Sequence, residues 1–232
     1  MNALALTWEW LTDPASWTGA GGILAQSVAH LRYSFLALLA AALVAVPVGL
    51  WVGHTGRGRW LAVNAAGAVR AVPSLGVLFI AVLLLLPRLR GELAFELPAL
   101  IVLVLLAVPP VLAGTYAGVQ ATDPAARDAA RGMGMTGTQV LRLVEIPGAM
   151  PLIMSGLRAA MLQIIGTATI AAIVGLGGLG RFLIDGQASR DYGQMAGGAV
   201  VVALLALAVD IALAAVQRLV VSPGLTTAGP GR

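Results

Sequence analysis

The chain has 232 residues, 59% of them hydrophobic and only 10% charged, with a net charge of +4 and a mean hydropathy of +0.93. Soluble domains run about 45–50% apolar and about 25% charged, so this composition excludes an ordinary soluble enzyme and is that of an integral membrane protein. With no Cys, no Lys and only His30 and His54 as imidazoles, the chain has no thiolate, P-loop lysine or Schiff-base lysine, and no metal centre, cofactor or catalytic group is expected.

Residues 1–26 do not read as a secretory signal, because Glu9 and Asp13 stand where a basic region is needed. Trp8, Trp10 and Trp17 suit a segment either lying at the membrane interface or packed on neighbouring loops, extracytoplasmic by the orientation given below. A spanning helix needs about 20 apolar residues. Tyr33–Gly53 is the first such stretch, and Trp60–Leu86 the second, interrupted by Arg70 and kinked at Pro73. Leu97–Thr122 is the third, bent or broken by Pro109 and Pro110. A fourth, Ala159–Gly180, has its spanning part starting near Pro151, and Tyr192–Gln217 is the fifth, carrying Asp210. Residues 27–222 thus form one transmembrane domain and 223–232 a short cytoplasmic tail. The arginines of 54–59, 120–150 and 218–232 number seven against five on the other side. That bias places the N-terminus outside and the C-terminus inside. The scattered arginines fit cytoplasmic loops and lipid headgroups, not nucleic acid.

The polar connection carries local signals. Asp123 followed by Pro124 is an N-cap with proline in the first helical position, and Gly134 is a natural left-handed stop. A second short helix is expected from Thr136 to just before Pro147, burying Val140, Leu141 and Val144 and exposing Gln139, Arg142 and Glu145. The whole, 123–147, is a helix–turn–helix elbow that either projects into the cytoplasm or lies on the membrane surface. Gly175-Leu-Gly-Gly-Leu-Gly180 matches a dinucleotide-binding pattern. It sits at the edge of a span with no acidic residue about 20 positions on, so it reads as a helix break or a close packing site.

Asp128-Ala129-Ala130, three residues, Gly134, nine residues, Val144, one residue and Ile146-Pro147 resembles the EAA motif of ATP-binding cassette importer permeases, with Asp, Val and Ile replacing the usual Glu, Ile and Leu. The resemblance implies an all-α, type I importer permease of the methionine-permease-like fold. It has about five transmembrane helices in the bacterial inner membrane, N-out and C-in. It further implies that Asp128, Ala129, Ala130, Gly134, Val144, Ile146 and Pro147 couple the chain to separate ATPase subunits, with no catalysis of its own. A solute-binding protein and a second permease copy, identical or similar, complete the assembly within the lipid. Arg70-Ala-Val-Pro-Ser-Leu75, Pro109–Gly118 and Gly166–Gly180 resemble the osmoprotectant permeases, implying glycine betaine, choline, carnitine or similar solutes. Methionine permeases share the elbow and stand as the alternative. Outside transport, a membrane scaffold would not need the EAA spacing.

Candidate pathway-lining groups are Ser74, Gln163, Thr167 and Thr169, polar residues within spans whose simpler role is bonding to a neighbouring helix or to the backbone four residues back. Arg70 and Asp210 are the charges noted inside the spans. They are costly in lipid, and either pair with each other or snorkel toward the nearby cytoplasmic end.

Overall fold

The computed structural model describes residues 2–221, with the side chain of Arg70 excepted; the 223–232 tail lies outside the described residues. Every element among them is helical. The α-helices are α1 (Ala3–Thr12), α2 (Ile23–Thr55), α3 (Arg59–Ala71), α4 (Ser74–Leu85), α5 (Leu93–Ala121), α6 (Pro124–Gly132), α7 (Gly137–Val140), α8 (Ile146–Ala168), α9 (Gly180–Ser189) and α10 (Tyr192–Val220). Four stretches are long and apolar enough to cross a membrane: α2, α5, the continuous run 137–174 and α10. Counting the broken pair α3 and α4 as one makes five. At about 1.5 Å per residue, the 33 residues of α2 reach about 50 Å. That is more than the ~30 Å hydrocarbon core, so the ends of this helix stand in or beyond the headgroups.

Two of the expected spans differ in detail. Pro73 does not kink a continuous helix but ends one and caps the next, because its ring disfavours helical geometry at Val72. The fourth span is not one α-helix up to Gly180. After Ala168 it tightens into a 3₁₀ segment, Thr169–Val174, and leaves the helix at Gly175. The segment before the glycine pattern is therefore helical, whereas a dinucleotide site needs a strand there.

The chain forms two compact units, residues 2–38, 72–104 and 161–209, and residues 39–71, 105–160 and 210–221. In the first, Ile23, Leu179, Phe182 and Val201 make the core. Trp10 meets Phe182 edge to face at 5.1 Å, so this tryptophan is a packing residue, while Trp8 is 70% exposed. His30 ties α2 to the glycine-rich stretch: Nε2–H donates to Ile165 O at 2.9 Å and Nδ1 accepts from Leu179 N at 3.3 Å. Gln26 Oε1 accepts from Gly178 N at 2.6 Å. In the second unit, Val119, Ala149 and Ile153 form the core with Leu50 and Leu157 against it. Here α5 and α8 approach backbone to backbone. A Cβ on Gly114 would lie 2.6 Å from Leu152 O, and one on Gly156 would lie 2.8 Å from Pro110 O. Small residues permit this closeness, which is how helices gain contact where lipid offers no hydrophobic drive.

Candidate functional site

The elbow of the second unit is built almost wholly by local rules. Asp123 accepts from Ala125 N at 2.9 Å and Pro124 opens α6. The helix closes on a Schellman arrangement, Met135 N to Ala130 O at 3.1 Å and Gly134 N to Arg131 O at 2.9 Å. That closure needs Gly134 at φ +84°. Thr136 and Gln139 then form a reciprocal capping box that starts α7.

The expectation that the second helix stops before Pro147 does not hold. The backbone runs on through α8, with a π-turn over Leu141–Glu145 in which Ile146 N reaches back to Leu141 O. Proline lacks an N–H and its ring crowds the carbonyl four residues back, and widening the preceding turn relieves that crowding.

Of the motif residues, Asp128, Ala129, Gly134 and Pro147 are exposed, Val144 and Ile146 half-buried, and Ala130 buried. Met133 and Leu143 are also exposed, at 73% and 63%. Asp128 stands 3.8 Å from Arg131, with both side chains solvated.

Glu145, expected to face solvent, is buried. The π-turn rotates it inward, where His54 Nδ1–H donates to Oε2 at 2.5 Å. Arg127 Nε pairs with Oε1 at 3.0 Å, its N–H not aligned as a hydrogen bond. Arg127 also donates from Nη2 to Val119 O, and Thr122 Oγ1 donates to the Glu145 carbonyl at 3.4 Å. One carboxylate thus ties together the end of α2, the middle of α6 and the start of α8. Periodicity placed Glu145 on the outer face because it assumed 3.6 residues per turn, and the only available hint was a proline two residues on.

The candidate lining residues come together only in part. Ser74 and Thr167, in the first unit, border one gap of about 10 Å³, room for a single water at most. Thr167 Oγ1 donates to Gln163 O at 2.6 Å and Thr169 Oγ1 to Gly166 O at 2.7 Å, so both hydroxyls serve their own helix. In the second unit, a cavity of about 390 Å³ is lined by small and apolar groups, Ala62, Ala66, Gly67, Pro109, Leu112 and Tyr116 among them.

Asp210 has a partner other than Arg70. Arg158, just ahead of the expected Ala159–Gly180 span, grips both its oxygens at 2.9 Å, from Nε and Nη2. Gln217 accepts from Arg158 Nη1 at 3.0 Å and donates to Pro151 O at 3.3 Å. This fork joins α8 to α10 within the second unit and satisfies two charges that lipid would penalise.

A family profile described as the binding-protein-dependent transport system inner membrane component matches residues 45–222. The chain belongs to this family. It is a multi-pass inner-membrane component of a transport system. Among its relatives is the glycine betaine/carnitine/choline transport system permease protein OpuCB of Bacillus subtilis (strain 168). It is 34% identical over 208 residues, 90% of this chain and 93% of that protein. The osmoprotectant import permease protein OsmW of Salmonella typhimurium (strain LT2) is 34% identical over 209 residues, 89% and 95% of the two chains. Among solved structures, an inward-facing MetNI methionine ABC transporter matches with a TM-score of 0.74 at 19% identity, over 86% of this chain and 97% of that one. An amino acid ABC transporter matches at 0.66 and 18%, over 94% and 97%. At these identities the two structures establish the type I importer permease fold and nothing finer.

Proposed function

We propose that the chain is the translocating subunit of an ATP-binding cassette importer for quaternary ammonium osmoprotectants such as glycine betaine, carnitine and choline. The observation that carries this reading is the one-third identity to OpuCB and OsmW across about nine tenths of the chain. The methionine and amino acid transporters share the fold at under 20%.

A binding protein delivers solute on the N-terminal side, and two ATPase subunits dock below the elbow and hydrolyse ATP in its place. A second permease copy completes the pathway. The exposed groups of the elbow suit docking: Asp128 offers charge, while Met133 and Leu143 offer apolar knobs that water alone would not favour. Gly134 and Pro147 shape the turn. The Glu145 cluster passes its movement to α2 and α8. Ser74 and Thr167, which border one gap, and Gln163 and Thr169 are candidates for lining a solute path.

The test is uptake of radiolabelled glycine betaine by a host that lacks its own compatible-solute importers and expresses the complete transporter, with methionine in parallel. Gly134→Asp serves as the uncoupled control, since it strains a φ of +84° and adds charge on the docking face. Betaine uptake that is lost in the control supports the reading. Uptake of methionine alone overturns the solute class.

A further inference from the structure

The first unit contains a cavity of about 260 Å³ bordered by Arg32, Tyr33, Glu92, Phe95, Glu96 and the stretch Gly175–Gly177. Two aromatic rings and two carboxylates in one cavity are the chemistry that captures a quaternary ammonium, which has no N–H to donate and is held by ring faces and nearby negative charge. The parts of this cavity are ~60 residues apart from α2 to the start of α5 and ~140 from α2 to the glycine-rich stretch, and they meet only in the fold.

The cavity also holds a cation of the chain's own. The Arg32 guanidinium lies 5.0 Å from the centroid of the Tyr33 ring and 2.7 Å from Glu96 Oε1. Arg32 therefore occupies the aromatic face and the carboxylate that a ligand cation would use. Its side chain is 56% exposed, so releasing it to water carries little penalty. Glu92, exposed on the same rim, has no ion-pair partner among the described residues.

We propose that this cavity is a transit site for zwitterionic quaternary ammonium solutes, entered by exchange of ion pairs. The solute's trimethylammonium takes the place of Arg32 over Tyr33, beside Glu96 and Glu92, and the solute's carboxylate receives the displaced guanidinium. One internal pair opens and two pairs to the solute form, so the charge of the site is unchanged. Choline brings the cation without the carboxylate, and Arg32 is then left without a new partner. The site accordingly favours glycine betaine and carnitine over choline. This inference rests on the osmoprotectant reading and adds to it a place and a selectivity in the permease itself.

The experiment uses the complete transporter in nanodiscs without binding protein, with saturation transfer from protein to the N-methyl protons of glycine betaine or choline as the readout. In the unaltered protein, glycine betaine gives the stronger effect. Glu96→Gln weakens both solutes by roughly tenfold, the 1.4 kcal/mol of one decade. Arg32→Gln, at a solvated position, weakens glycine betaine while leaving choline equal or stronger, because the ring face is vacated. A purely structural role for Arg32 shifts both solutes together, and that result overturns the proposal. If the transporter with its binding protein carries glycine betaine, and Arg32→Gln leaves the betaine-to-choline ratio unchanged in both assays, the transit site fails while the function stands. If the assembled transporter moves no quaternary ammonium solute, the function and the site fall together.

Discussion

Replacing Arg127 by Met tests whether the Glu145 cluster is an energetic unit. The geometry is asymmetric. The Glu145 side chain is 2% exposed, whereas those of Arg127 and His54 are each 21% exposed. Arg127→Met therefore leaves a carboxylate in the interior with only His54 beside it. Stranding one member of a buried pair costs about 3–5 kcal/mol.

Glu145→Met strands the guanidinium instead, but that group keeps partial solvation and its bond to Val119 O. The loss is then nearer to that of one charged hydrogen bond, about 1.5–3 kcal/mol. The double replacement removes both charges and leaves apolar groups of similar volume, a change that is often neutral for buried pairs. It should be more stable than Arg127→Met alone, with a coupling of at least about 2 kcal/mol between the two sites. Thermal unfolding of the purified complex, followed by tryptophan fluorescence, reads this ranking at about 2–4 °C per kcal/mol for a chain of this length. Equal losses from the two single variants, adding in the double, would refute the reasoning.

The same assay compares two glycines. Gly156→Ala places a methyl 2.8 Å from Pro110 O and 3.2 Å from Gly114 Cα, backbone atoms that cannot rotate away, and should cost about 1–3 kcal/mol. Gly166→Ala meets nothing within 4 Å and should gain about 0.5–1 kcal/mol from helix propensity; equal shifts would contradict the close packing of α5 on α8. Asp210→Ala leaves Arg158 unpaired inside a span, at about 2.5–3.5 kcal/mol on insertion scales. Joint reversal, Arg158→Asp with Asp210→Arg, should recover most of the folded yield lost by either single reversal. Absence of that recovery would mean that the fork in α8 and α10 is not what satisfies these charges.

What could be read in the chain itself were features whose physics is local. Apolar stretches such as Tyr33–Gly53 and Tyr192–Gln217 lie within membrane-length helices, because spanning depends on summed hydropathy and on backbone bonds made inside each segment. The elbow was legible for the same reason: Asp123, Gly134 and Thr136 act on neighbours no more than a few residues away.

Tertiary structure alone decided where the charges went. Glu145 turned inward because a π-turn ahead of Pro147 shifted its phase, and the partners that accept it lie 18 and 91 residues upstream. Asp210 found Arg158, 52 residues away, and Arg32 found Glu96, 64 residues away. No periodicity or cap encodes such pairings. They follow from which helix faces meet, and in a nearly uniform apolar sequence that choice rests on small contact sites such as Gly114 and Gly156, whose value appears only once the neighbouring helix is in place.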